Sequence, residues 1–234
     1  MRATICVPTY NEAANLEPMV RALEPLLRDG DRVLVIDDSS PDGTGELADR
    51  LAGELPFVDV LHRPAKEGLG PAYRAGFARA LADGAELVLE MDCDLSHDPA
   101  DVPRLIAAAE TDADLVLGSR YVQGGGVTDW GVVRRLISRT ASVYTELFLR
   151  MGVRDPTGGF KCFRRRVLET LDLDAITARG YAFQIETTYR AKRAGFRVVE
   201  VPIVFTDRTR GRSKMSRAIV LEAIWRVPLL RVRV

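Results

Sequence analysis

Short apolar runs alternate with helical repeats through the first half of the chain, and the runs stop in polar residues. Ala3-Thr4-Ile5-Cys6-Val7 reads as a strand closed by Pro8-Thr9-Tyr10-Asn11-Glu12, after which Leu16, Val20, Leu23 and Leu27 recur at helical spacing. Gly30-Asp31 ends that helix. Arg32-Val33-Leu34-Val35-Ile36 is a second strand, ending in Asp37-Asp38, and Leu47, Leu51 and Leu55 mark the next helix. Phe57 to Leu61 is a third strand, followed by a loop from His62 to Gly70 and a helix reaching Ala82. Leu87 to Met91 makes a fourth strand, a helix is predicted from about Ala100 to Ala109, and Asp114 to Gly118 makes a fifth strand, stopping at Ser119-Arg120-Tyr121. Strands and helices alternating at such intervals predict an α/β fold, a mostly parallel sheet covered on both faces. Ligands of such sheets sit beyond the carboxyl ends of the strands. Pro8 to Glu12, Asp37-Asp38, Asp92 to Asp94 and Ser119-Arg120 all fall on that rim.

The fourth strand is the most informative, because it ends in Met91-Asp92-Cys93-Asp94-Leu95-Ser96-His97-Asp98-Pro99. Side chains two apart on an extended chain point the same way, so Asp92 and Asp94 can converge while Cys93 faces packing. Two carboxylates held this close raise each other's pKa unless a cation lies between them. Hard oxygen ligands favour Mg²⁺ or Mn²⁺ over zinc, and a metal with only two protein ligands keeps positions for phosphate oxygens. The competing reading is a strand end with solvated acids and a helix start at Asp98-Pro99.

With 234 residues, 47% of them apolar, the chain can build a large core as one domain, or as one domain with an appendage. Its formal net charge of zero argues against nucleic acid as a partner. Cys6, Cys93 and Cys162 match no metal-binding spacing and imply no disulfide, so a reducing cytosol is the expected compartment. Met1-Arg2 leads directly into a strand, and no signal peptide is expected. No run reaches the ~18–20 apolar residues of a membrane span. Ala218 to Leu230 comes nearest, and Glu222, Arg226 and Pro228 interrupt it.

Beyond Tyr121 the pattern changes. Gln123 to Asp129 reads as a flexible loop, and Val133, Leu136, Ile137, Tyr144, Leu147, Phe148 and Met151 line one face of a long helix, as core or as a greasy surface. Asp155-Pro156-Thr157-Gly158-Gly159-Phe160-Lys161 is a tight turn, Phe183 to Arg193 a helix, Arg197 to Phe205 an alternating strand, and Asp207 to Lys214 a basic loop. No dinucleotide fingerprint or P-loop is present; Gly68-Leu69-Gly70 lacks a third glycine and is misplaced. Asp37-Asp38 fits a nucleotide base or ribose, a phospho-acceptor pocket of receiver type, or a helix cap. Arg120, Arg134, Arg135, Arg208, Arg210, Arg212 and Lys214 fit phosphate contacts or a solvated face. His62 and His97 read as loop or packing residues.

Taken together, Val7-Pro8-Thr9-Tyr10-Asn11-Glu12, Asp37-Asp38-Ser39-Ser40-Pro41-Asp42-Gly43-Thr44, Met91 to Pro99 and Gly118-Ser119-Arg120-Tyr121 resemble glycosyltransferase family 2. Arg134 to Arg139, Asp155 to Lys161, Gly180 to Glu186 and Arg208 to Lys214 narrow the resemblance to the polyprenol (dolichol) phosphate mannose synthases. The resemblance implies a GT-A fold, a Rossmann-like sheet flanked by helices, with C-terminal amphipathic helical elements. It implies one domain over residues 1–234, with a nucleotide-binding half (1–121) and an acceptor-binding half (122–234) carrying an interfacial helix. The implied reaction is metal-dependent, inverting transfer of mannose from GDP-mannose to polyprenyl monophosphate. Pro8, Tyr10, Glu12 and Asp37 would hold the nucleotide, helped by Asp92 and Lys214. Asp92, Asp94 and Gln184 would hold Mg²⁺ or Mn²⁺. Arg120, Arg134, Arg208 and Lys214 would contact donor or acceptor phosphates, with Asp92, Asp94 and Arg120 carrying the catalysis.

The chemistry suits these residues. A phosphate monoester has a second pKa near ~6, so the acceptor is already a nucleophilic anion at neutral pH. The difficulty is bringing two anions together. To reach a lipid acceptor, the 133–151 helix and the tail Ile219 to Arg231 are expected to lie in the membrane interface, as a peripheral attachment to the cytoplasmic face; a buried C-terminal helix is the competing reading. A membrane-anchored partner protein, as in some relatives, is compatible with this. Two rival functions stay open: a transferase using UDP-glucose or another donor on the same lipid, and a non-catalytic nucleotide-sugar-binding module.

Overall fold

In a computed structural model the described residues are 1–111, 113–178, 180–207 and 225–232. Five parallel strands appear where the apolar runs predicted them: β1 (Ala3–Thr9), β2 (Arg32–Asp37), β3 (Val58–His62), β4 (Leu87–Glu90) and β5 (Leu115–Ser119). The intervening helices are α1 (Ala13–Leu23), α2 (Thr44–Glu54), α3 (Leu69–Ala82) and α4 (Val102–Thr111). The first helix is shorter than its apolar spacing suggested. Pro25 lies in a 3-10 turn, Glu24–Leu26, and Leu27 is already extended. Similarly, a 3-10 turn at Pro99–Asp101 precedes α4, with Asp98 Oδ1 accepting from the Ala100 amide at 2.9 Å.

The second half adds β6 (Gly126–Thr128), α5 (Val132–Leu149), β7 (Lys161–Arg164), α6 (Arg165–Thr170), α7 (Tyr181–Arg193), β8 (Val198–Pro202) and β9 (Val204–Thr206). Residues 225–232 are helical. The main sheet has the order β3-β2-β1-β4-β7-β5-β8. All its pairings are parallel except those of β7, which runs antiparallel between β4 and β5. The sequence reading had only a tight turn ending at Lys161, because four residues directly after a glycine turn carry too little pattern to read. The strand expected over Arg197 to Phe205 breaks at Ile203: β8 stays in the main sheet and β9 pairs with β6 in a second, two-stranded sheet. The Ile203 amide donates to Ser119 O at 3.0 Å and its carbonyl accepts from the Gly126 amide at 3.0 Å, so the chain hands over from one sheet to the other at this residue.

Alternate strand residues feed two cores. Ile5, Val7, Val33, Val35, Leu87 and Leu89 pack with α1, α2 and α4, while Cys6, Leu34, Ile36 and Val88 pack with α3 and α7. The arrangement is three layers with every strand of β1, β2 and β4 covered on both sides. Helix α3 approaches its neighbours through glycines. A Cβ on Gly70 would lie 2.2 Å from Ala178 O, and one on Gly76 would lie 2.3 Å from Ile36 Cδ1.

Gly70→Ala should therefore cost ~2 kcal/mol or more, because a backbone carbonyl cannot yield as a side chain can. Thermal unfolding should show a Tm lowered by roughly 4–8 °C. Gly53→Ala in α2, where a Cβ meets nothing within 4 Å, should instead leave Tm unchanged or slightly raised. Equal effects of the two would contradict the close approach at Gly70.

Candidate active site

The carboxyl ends of β1, β2, β4 and β5 border a cavity of about 1180 Å³. Pro8, Tyr10 and Glu12 come from the first, Asp38 from the second, Asp92, Asp94 and His97 from the third, and Gly118 and Arg120 from the fourth. Three of the loops turn through left-handed residues that are not glycine: Asn11 (φ 54°), Ser39 (φ 59°) and Leu95 (φ 60°). Such residues store on the order of 1–3 kcal/mol of strain each, and they persist where surrounding contacts over-determine them. Leu95 directly follows Asp94, whose Oδ1 accepts from the Ser96 amide at 3.1 Å.

Asp92 and Asp94 both line the cavity, and Gln184 of α7 joins them. A Cβ on Gly159 would lie 3.5 Å from Gln184 Nε2 and 3.9 Å from Asp92 Oδ1, so these two side chains converge over a residue without one of its own. Gln184 is 1% exposed, and its amide faces Glu90 without a well-formed hydrogen bond among the described residues. An unsatisfied buried amide beside two carboxylates fits the oxygen set of a hard divalent cation. Among the described residues there is no group of three His, Cys, Asp or Glu that would close a metal cage. A cation held here would keep positions for a ligand's oxygens.

Behind the acids lies a second charged layer. Glu90 faces Lys161 across the antiparallel β4–β7 ladder, and both are fully buried. Burial pushes the Glu90 carboxyl up and the Lys161 ammonium down, each opposed by the other's charge. Lys161 Nζ donates to Gln184 O at 2.6 Å and to Thr187 Oγ1 at 3.2 Å, which ties α7 to the sheet under the site. His97 is also buried, stacked on Phe160 at 5.0 Å with Phe205 on its edge at 5.2 Å. Desolvation lowers its pKa to about 4, with Asp94 pulling the other way. The imidazole is thus neutral, and its Nδ1 accepts the Asp92 amide at 3.3 Å. The sequence predicts a loop or packing role for His97, and its ring packs against Phe160 and Phe205.

The expected nucleotide residues divide. Pro8, Tyr10 and Glu12 are on the cavity wall, and Glu12 Oε2 accepts from Asn15 Nδ2 at 2.7 Å. Asp37 sits behind the wall, accepting from the Ser40 amide at 3.1 Å, Ser40 Oγ at 2.5 Å and Thr9 Oγ1 at 3.2 Å. Its neighbour Asp38 is on the wall and pairs with Arg63. Lys66, not singled out from the sequence, lies 3.7 Å over the Tyr10 ring and also lines the cavity.

The expected phosphate cations differ in their surroundings. Arg120 is 8% exposed and grips Asp155 bidentately, Nε to Oδ2 at 2.7 Å and Nη2 to Oδ1 at 2.6 Å, with Thr157 Oγ1 at 2.9 Å from Nη2. Arg134 lines the cavity, pairs with Asp207 at 2.5 Å and stacks on Trp130 at 4.3 Å. Arg135 is exposed, away from the wall, with Nη2 3.4 Å from Val127 O. Of the two adjacent arginines, Arg134 is the one at the site. Arg208, Arg210, Arg212 and Lys214 lie outside the described residues.

The same cavity also has a large apolar lining: Val133, Leu136, Ile137, Ala141 and Tyr144 of α5, with Leu69, Ala72 and Val227. Helix α5 is not a core helix: Val133 is 71% exposed, and only Ser142, Thr145 and Leu149 are buried.

Residues 4–172 match the model of glycosyl transferase family 2. The chain is 47% identical over 224 residues to the undecaprenyl-phosphate mannosyltransferase of Micrococcus luteus, covering 96% of this chain and 91% of that one. It is 47% identical to the polyprenol monophosphomannose synthase of Mycolicibacterium smegmatis, over 97% and 85% of the two chains. It is 36% identical to the dolichol-phosphate mannosyltransferase of Pyrococcus furiosus over 95% of its own length and 61% of the relative's. Among solved structures, glucosyl-3-phosphoglycerate synthase from Mycobacterium tuberculosis, in complex with Mn²⁺, UDP and glucosyl-3-phosphoglycerate, superposes with a TM-score of 0.71. That likeness covers 99% of this chain and 79% of the synthase at 19% identity, and it shows a shared GT-A-like architecture. The chain belongs to glycosyl transferase family 2.

The buried imidazole makes a pH prediction. Folded His97 stays neutral down to about pH 4, whereas the unfolded side chain protonates near 6.5. Between those values the unfolded state binds more protons, so this group lowers stability as pH falls from 6.5 to 4. Denaturant unfolding of His97→Asn should show a shallower loss over that window than the parent chain. Parallel curves would mean the imidazole is not held neutral.

Proposed function

We propose that this family 2 glycosyltransferase transfers mannose from GDP-mannose to the phosphate of a polyprenyl monophosphate, inverting the sugar carbon and releasing GDP. One observation carries the reading: a single cavity is lined both by acids of the strand ends and by apolar residues of α5. A molecule with a phosphate at one end and a hydrocarbon chain at the other fits both. The relatives' names supply the sugar and the lipid class.

Residues 1–121 form the nucleotide half of the domain and 122–234 the acceptor half. Pro8, Tyr10 and Glu12 hold the nucleotide, with Asp38 on the wall and Asp37 bracing the loop behind it. Asp92, Asp94 and Gln184 would hold Mg²⁺ or Mn²⁺, and such a cation would supply positive charge against the departing diphosphate. An acceptor phosphate oxygen attacks the sugar carbon, and the bond to the GDP oxygen breaks with its electron pair leaving on GDP. The acceptor is already ionised, so no general base is required. Arg134 meets the acceptor phosphate in exchange for Asp207. Arg120, neutralised by Asp155, orients the site as a fixed donor. Arg208 and Lys214 complete the phosphate contacts by resemblance.

The chain works from the cytoplasmic face of a membrane as a peripheral protein. No helix among the described residues is long and apolar enough to cross one. Val132, Val143 and Leu147 on the outer side of α5, and Trp225, Leu229 and Val232 in the C-terminal helix, are exposed apolar residues suited to the interface.

Incubation with Mn²⁺, a short-chain polyprenyl phosphate and a panel of labelled sugar nucleotides tests the donor and acceptor together. Label from GDP-mannose should enter the organic phase. Label from UDP-glucose alone would establish the rival transferase. Asp94→Ala should lower turnover on the order of 10²–10³-fold, while a non-catalytic module would show donor binding and no transfer in either form.

A further inference from the structure

A second cavity, of about 330 Å³, shares no lining residue with the first. It lies where α5 and α7 end against the 225–232 helix. Arg150, Lys192, Arg193 and Arg231 line it, over a floor of Leu149, Met151 and Tyr189. The three floor residues are buried; Arg150, Arg193 and Arg231 are exposed and Lys192 half-buried. Arg231 Nη1 donates to Phe148 O at 3.2 Å. Among the described residues no carboxylate pairs with any of the four cations, although Arg190, one turn away on α7, pairs with Glu186 at 2.8 Å.

This imbalance stands out in a chain whose 33 basic and 33 acidic residues cancel. Cations in the last turn of α7 complement that helix's carbonyl end. That accounts for Lys192 and Arg193, but not for Arg231, which a separate helix brings in. Four positive groups around one concavity raise the local potential and attract an anion. The flanks identify which anion. Leu147, just before the pocket on α5, is 68% exposed, and Leu229 and Val232, on either side of Arg231, are 46% and 86% exposed. A dissolved anion has no use for apolar flanks; a phosphate at the surface of a bilayer does.

We propose that this pocket seats the phosphate headgroup of an anionic membrane phospholipid, with Leu147, Leu229 and Val232 entering the interface around it. The proposal rests on the reading of the chain as a peripheral membrane protein. Binding there would bring the C-terminal end of α5 and the 225–232 helix to the membrane surface.

The test is flotation of the full chain with phosphatidylcholine vesicles, with and without phosphatidylglycerol, following emission of the exposed Trp225 in parallel. The parent chain should float with the anionic vesicles, and salt should weaken it. Arg150→Gln, Lys192→Gln, Arg193→Gln and Arg231→Gln together should lower partitioning about fivefold per charge removed. Neutralising four exposed arginines elsewhere (Arg21, Arg32, Arg50 and Arg79 to Gln) should lower it much less. Arg231→Glu alone provides a milder variant, with folding checked by thermal unfolding. Equal loss in both sets, or none in the pocket set, overturns the proposal. So does equal flotation combined with pocket-dependent binding of inorganic phosphate, which would mark a soluble-anion site. Transfer to a short-chain polyprenyl phosphate in detergent should persist in the pocket variants. Preserved flotation with no transfer by the parent chain would overturn the enzymatic reading and leave the pocket standing.

Discussion

A single buried ammonium, Lys161 Nζ, joins the layers on which the candidate site is built. It rises from β7 opposite Glu90 and ends on Gln184 O and Thr187 Oγ1. Glu90 is two residues from Asp92, and Gln184 carries the amide that meets Asp92 over Gly159. Two of the three groups assigned to a metal therefore depend on the same contact. Burying an ammonium and a carboxylate is costly, and removing either one alone leaves an uncompensated charge at ~3–5 kcal/mol. The two charges act on each other through space, since neither Glu90 oxygen makes a well-formed hydrogen bond among the described residues, and a buried pair of this kind is a poor source of stability.

The rim achieves its electrostatics by pairing most of its charges. Arg120 is matched by Asp155, Arg134 by Asp207 and Arg63 by Asp38. A site proposed to receive a nucleotide-sugar and a lipid phosphate would otherwise be a strong attractor for any anion. Paired arginines present directed N–H groups with little net field; in the proposed reaction the Arg134–Asp207 pair would open to an incoming phosphate while Arg120 stays on Asp155. The apolar lining of the cavity adds what charge cannot, a preference for a phosphate attached to hydrocarbon.

Much of this was legible in the residues. The apolar runs placed β1 to β5 and the intervening helices, and the polar stops placed the rim, because strand period and buried apolar length leave few alternatives. Asp92 and Asp94 both line the cavity as expected, but the strand ends at Glu90 and Asp94 lies in a turn, so the two-residue alternation of an extended chain is not what brings them there. What escaped depended on tertiary neighbours. Asp37 and Asp38 are adjacent acids, and only the packing of Ser40 and Thr9 shows which one is turned away from the cavity. The choice between Arg134 and Arg135 needed the helix phase. The stripe on α5 could be core or surface, since a helix facing a cavity and one facing a core share the same periodicity. Lys66 was an isolated side chain in a loop, where no pattern exists to read.

The position of β7 also bears on how the chain matures on the ribosome. β4 and β5 are complete by Ser119, yet in the finished sheet they do not touch each other; β7, more than forty residues later, wedges between them. A nascent chain that has released only its first half has two hydrophobic edges with no mate, and β5 waits further for β8. Unmated edges invite adhesion to other chains. Residues 1–121 alone are thus a poor candidate for separate expression, and their safe assembly depends on late synthesis arriving in time.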